Sequence, residues 1–130
     1  MKTKDILMSI NPERSIKMRK PIFRRAADWK DKGLGYVIFD DEAEIIAANI
    51  VTVKKGETTE ESSHHNEEEV YVVLQGKGRI KVGDVSEEVE KDTVIYIPRN
   101  AVHQSTGLSD EDLVFACVAI YFDRTPDISV

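Results

Sequence analysis

The sequence predicts an all-β fold, an antiparallel sandwich or barrel, on three observations. Short runs rich in β-branched and aromatic residues recur along the chain. Glycine, proline or Gly-Asp pairs punctuate them at short intervals, and several runs alternate polar with apolar side chains. The 130 residues match one domain, large enough to bury a core without disulfide staples. With 41% apolar and 32% charged residues the composition is that of a globular chain.

The first expected strand is YVIFD, Tyr36–Asp40, preceded by Gly33 and Gly35. IIAANIVTV, Ile45–Val53, is dense in β-branched residues and stops at Lys54-Lys55-Gly56. EVYVVLQ, Glu69–Gln75, ends at Gly76. RIKV, Arg79–Val82, meets Gly83-Asp84, a two-residue hairpin signal, and VSEEVE, Val85–Glu90, returns from it. TVIYI, Thr93–Ile97, stops at Pro98, and LVFACVAIYF, Leu113–Phe122, closes the series. The last run is apolar on both faces, whereas a small barrel buries one, so a homodimer is expected. Helix is expected only near the start, where RRAADWKDK, Arg24–Lys32, can make a turn or two before Gly33.

Charge divides the chain. Residues 1–32 hold ten basic and four acidic side chains; the remainder holds 8 basic and 20 acidic, for a net charge of −6. The division is therefore a basic arm over residues 1–35, packing on the barrel or on a partner subunit, and a barrel over 36–125. The arm lacks the interleaved aromatic residues of a nucleic-acid binder, and an acidic body repels phosphate, so no nucleic-acid partner is expected. No apolar stretch reaches the roughly 20 residues of a membrane span, and no membrane partner is expected. The opening segment lacks the apolar core of a secretory signal, which points to a cytoplasmic protein. The single cysteine, Cys117, lies in an apolar run and reads as a small core residue.

The chemistry-bearing segment runs from Gly56 to Gly76. His64 and His65 precede Glu69 at a strand start, and the remaining histidine, His103, follows the turn after Pro98. Neutral imidazole plus carboxylate suits divalent iron, manganese, nickel, copper or zinc, and two histidines with one carboxylate leave coordination positions open. Adjacent histidines cannot face the same way on a regular strand, and either could be the ligand. Tyr71, two residues beyond Glu69, should share its face. Tyr96 and Arg99, beside the second histidine segment, are candidates to contact a ligand. Glu67 and Glu68 read as a solvated approach, and Gln104 should point away from any metal.

These residues resemble the cupin superfamily. Its first motif, G-x5-H-x-H-x3-4-E-x6-G, is met by Glu69, by Gly76 and by His64 or His65 as second histidine. Its second, G-x5-P-x-G-x2-H-x3-N, is met at Pro98 and His103. Ser62 or Ser63 stands at the first histidine, Lys91 at the opening glycine of the second motif, Asn100 at its next glycine and Gly107 at its asparagine. The resemblance implies a six-stranded double-stranded β-helix, or jelly-roll cupin barrel. It implies a divalent metal at the mouth on His64, His65, Glu69 and His103, and a small organic ligand such as a sugar, organic acid or aromatic. Isomerase, epimerase or dioxygenase activity would follow, or, with one histidine lost, a non-catalytic binding module.

Overall fold

A computed structural model describes residues 18–29 and 35–126. One short helix, α1 (Ala26–Trp29), precedes eight strands: β1 (Gly35–Ile38), β2 (Ile46–Val53), β3 (Glu67–Gln75), β4 (Lys77–Val82), β5 (Val85–Glu90), β6 (Val94–Ile97), β7 (His103–Gly107) and β8 (Leu113–Tyr121). They form two sheets, ordered β1-β2-β8-β3-β6 and β5-β4-β7, with every neighbouring pair antiparallel. This is the double-stranded β-helix expected from the sequence, with eight strands among the described residues rather than six.

Burial of alternate side chains fixes β3, β4 and β8 as strands, and the others pair against them. Along β8, Leu113, Phe115, Cys117 and Ala119 point inward, paired across the ladder with Val53, Val51, Asn49 and Ala47 of β2. Val73 and Tyr71 of β3 and Ile97 of β6 continue that layer, and Ile80 and Val89 meet it from the smaller sheet. Gly83 takes φ 57 in the β4–β5 turn, where a left-handed residue matches the twist of the hairpin. Gly76, at φ 77, lies against the Asp112 backbone, which a Cβ there would strike.

Two details differ from expectation. HQSTG forms β7 although it has no apolar alternation; its pairing with β4 and the burial of His103, Ser105 and Gly107 make it a strand. Five intervening residues before Pro98 put the motif's opening-glycine position at Asp92, not at Lys91, and Asp92 takes the left-handed φ of 71; Asn100 takes φ 69 in the following turn. Both residue types tolerate this conformation.

Among the described residues the helix of the arm is Ala26–Trp29, and the expected stop at Gly33 lies outside them. The Arg24 guanidinium makes two hydrogen bonds, of 2.8 and 2.6 Å, to the Glu42 carboxylate, and Arg19 donates to the Asp41 carbonyl. Arg24, with help from the Phe39 N–H, lowers the Glu42 pKa to about 2. The described part of the arm thus meets the turn between β1 and β2. Among the described residues no helix is long and apolar enough to cross a membrane.

Candidate metal centre

The site is assembled by one loop and two strands. Between β2 and β3 the chain runs alongside β7, exchanging backbone hydrogen bonds between Ser62 and His103 of 3.1 and 2.8 Å. That pairing aims the Ser62 hydroxyl at the His103 ring, with its Oγ 3.2 Å from Nε2. Two residues on, His64 comes to the same side, and its carbonyl is fixed by the Asn100 N–H at 2.8 Å. Alternation sends His65 outward, where it is exposed and apart from the cluster. Of the two candidate histidines, His64 is the one the fold brings in.

Glu69 on β3 and His103 on β7 are both buried, at 8% and 6% exposure. Glu69 Oε1 lies 3.4 Å from His103 Nε2 and 3.8 Å from His64 Nε2. One ligand atom from each of His64, Glu69 and His103 falls within 4.8 Å of the others. The imidazole rings of His64 and His103 are tilted, 5.3 Å apart.

Hydrogen bonding fixes what each atom can offer. His103 Nδ1 lies 3.0 Å from the Ala101 carbonyl, which can only accept, so Nδ1 carries the proton. In the neutral ring Nε2 then presents a lone pair to the cluster, the orientation that metal-bound histidines require. The Cys117 thiol donates to Glu69 Oε2 at 2.9 Å, whereas Glu69 Oε1 is buried with no hydrogen-bond partner. A buried carboxyl oxygen orphaned beside two imidazole nitrogens is costly unless a cation or proton completes it. The donor set therefore fits a divalent metal held by His64, Glu69 and His103, with coordination positions left open.

The surrounding cavity is about 200 Å³. Tyr71 lines it as expected, stacked on Phe115 at 4.4 Å and edge-on to His103 at 6.2 Å. Burial, followed by the charge of Glu69, pushes its hydroxyl far up, so Tyr71 stays protonated. Burial and the Glu69 bond do the same for the Cys117 thiol, which has no thiolate to act as a nucleophile.

Tyr96 and Arg99 do not reach the cavity. Tyr96 sits opposite Val70 on the outer face of the large sheet and donates to the Glu68 carboxylate. The exposed Arg99 guanidinium lies over the Phe122 ring at 4.7 Å. Period-two alternation along β6 sends Ile97, and not Tyr96, inward. Gln104 turns to the Thr59 carbonyl, away from the cluster, as expected.

Glu67 corrects the reading of a solvated approach. Because β3 already starts there, it shares the Glu69 face, with Oε1 3.8 Å from His64 Nδ1. Burial and then the Glu69 charge raise its pKa. Ser62, noted at the motif's first histidine position, lines the cavity too, and Asn49, Tyr36 and Tyr121 line it without having been singled out. Asn49 alone carried a signal, as an amide inside an otherwise apolar strand. Burial, then Glu67, pushes the Tyr121 hydroxyl up to about 12.

The family model described as "Cupin domain" matches residues 49–121, which span β2 to β8 and contain all three ligand candidates. No curated protein matches the chain significantly. Among solved structures, the Cnp3 cupin domain of Schizosaccharomyces pombe is similar at 17% identity and TM-score 0.62, over 68% of this chain and 59% of that one. The BH2720 protein of Bacillus halodurans is similar at 15% identity and TM-score 0.68, over 87% and 90%. A conserved protein of Klebsiella pneumoniae with a double-stranded β-helix domain is similar at 10% identity and TM-score 0.67, over 85% and 99%. At such identities the likeness is one of fold. Matched over more than half its length by the family model, with the barrel and both motif segments in place, the chain belongs to the cupin domain family.

Proposed function

We propose that this cupin binds one divalent transition-metal ion, from among iron, manganese, nickel, zinc and copper, on His64, Glu69 and His103. At that ion it binds, and converts, a small oxygen-bearing organic molecule. The single observation that carries the reading is Glu69 Oε1: buried, without a hydrogen-bond partner, and facing the Nε2 atoms of both histidines. When bound, the metal supplies a Lewis acid and, if redox-active, a centre for oxygen chemistry, which suits isomerisation or dioxygenation. The chain's own residues set its surroundings. Ala47, Val51, Tyr71 and Ala119 contribute apolar wall to the site, which strengthens the field of any charge beside it.

A second reading, a non-catalytic ligand-binding module, is favoured by Ser62. Its hydroxyl occupies the position next to His103 that a further imidazole would take, and leaves a three-ligand site. The two readings share the metal and part at turnover.

Metal titration of the chelator-treated protein tests the shared claim. One equivalent should bind, and His103→Ala should weaken binding by about 100-fold or more, since a ligand costs at least what its supporting neighbours cost. Undiminished binding in that variant contradicts the proposed ligand set.

The expected homodimer belongs to this reading as well. Val94 and Tyr96 are 65% and 58% exposed on the outer face of the large sheet, beside Val70, Leu74 and Ile120. A contiguous apolar sheet face of this kind is suited to pairing with a second copy.

A further inference from the structure

The metal cavity has room for an ion and a few ligand atoms but not for a whole ring-bearing ligand. Its roughly 200 Å³ lies below the approximately 300–1,000 Å³ usual for small-molecule sites, and an ion takes up part of it. A ring-bearing molecule that reaches the ion must keep its bulk in an adjoining space. The cavities around Leu74 and Glu111, around Glu88 and Leu108, and around Arg19 and Pro126 share no wall residue with it. A cleft of about 670 Å³ between the arm and β1 does, through Tyr36.

The cleft has aromatic walls. Phe23 and Trp29 come from the arm, Tyr36 and Phe39 from β1 and the residue after it. The Tyr36 and Phe39 rings stack with centres 5.7 Å apart, yet both remain about half exposed, and Phe23 is 80% exposed. Four aromatic side chains turned into one concavity present flat, polarisable surface to a flat partner. The charged side chains in the wall are already engaged. Arg24 is held by Glu42, and the Asp28 carboxylate accepts the Arg25 N–H at 2.7 Å. Nothing there is arranged to capture a phosphate or a free carboxylate.

We propose that this cleft holds the ring of a hydroxylated aromatic ligand whose adjacent oxygens enter the His64–Glu69–His103 cavity beside Tyr36. The inference rests on the metal reading above and names its ligand class. Aromatic faces bind the ring, and vicinal oxygens fill the open positions of the ion. Tyr36, wall to both spaces, sets the angle between them.

The test uses the full chain loaded with zinc and two bidentate oxygen ligands. 4-Nitrocatechol carries a ring and changes its absorption on coordination; acetohydroxamic acid has no ring. Phe39→Ala and Phe23→Ala, both at exposed positions, should each weaken 4-nitrocatechol by about tenfold, as lost ring stacking and burial imply. Acetohydroxamate and zinc affinities should stay unchanged in both variants. Trp29, the single tryptophan, should lose emission with 4-nitrocatechol and keep it with acetohydroxamate. Zinc uptake with 4-nitrocatechol affinity indifferent to both substitutions overturns the cleft and leaves the metal site standing. Failure of the wild-type chain to take up zinc overturns both.

Discussion

At the scale of single residues, the site depends on which atoms are already satisfied. Glu69 is divided between its two oxygens, one bonded by Cys117 and one left facing imidazole nitrogens. Replacing Cys117 by alanine removes the hydrogen bond that Oε2 accepts among the described residues while leaving the proposed ligands in place. Metal affinity should fall by about tenfold, the lower end of what losing a ligand's supporting hydrogen bond costs. Calorimetric titration of the variant checks this, and unchanged affinity would show that the thiol does not orient the carboxylate. Glu69 and His103 were legible through the resemblance, whose motif positions fix them; their spacing by itself left a pair of loop histidines as an alternative. Choosing His64 over His65 required a contact the sequence does not display, the pairing of Ser62 with His103. Tyr96 was misplaced for the same reason: nearness in sequence to His103 says nothing about the strand face that decides where a ring points.

At the scale of elements, strands announced themselves where burial is apolar and hid where it is polar. β8 could be read from its continuous apolar run. β7, which carries His103, consists of His-Gln-Ser-Thr-Gly, and only its partner β4 and the bonded loop make it a strand. The same logic ranks substitutions. Phe115 is buried in β8 and stacks on Tyr71, so Phe115→Ala should cost about 3–5 kcal/mol, as large cavities in a packed core do. Denaturant unfolding measures that directly, and a loss under about 1 kcal/mol would mean that β8 does not carry the core. The arm is held differently, by charge. Because Arg24 depresses the Glu42 pKa, the ionised pair contributes stability that is present above the ordinary value of 4.5 and lost as pH falls toward about 2. Trp29 emission should therefore shift across that interval in the wild type, and Glu42→Gln should show the shifted emission already at pH 7. An identical acid response in both proteins would contradict the proposed anchoring of the arm.

At the scale of the whole molecule, the fold joins an acidic, metal-ready barrel to a basic segment at its rim. The barrel was legible from turn punctuation and two motifs. The aromatic cleft was not, because Phe23, Trp29, Tyr36 and Phe39 form no sequence pattern and meet only when the arm lies beside β1. The exposed apolar sheet face leads to a further expectation. Val94→Glu should shift sedimentation from dimer to monomer with little change in thermal stability of the isolated chain, since Val94 is already solvated there. A wild-type chain that sediments as a monomer would remove that interface from the account. The central claim remains that three side chains from separate segments share one ion. The most direct measurement is anomalous diffraction at the absorption edge of the bound metal, on crystals grown without a polyhistidine tag. The account predicts one strong peak within bonding distance of His64 Nε2, Glu69 Oε1 and His103 Nε2. A metal-supplemented crystal with no peak there, or with its peak elsewhere, would contradict it.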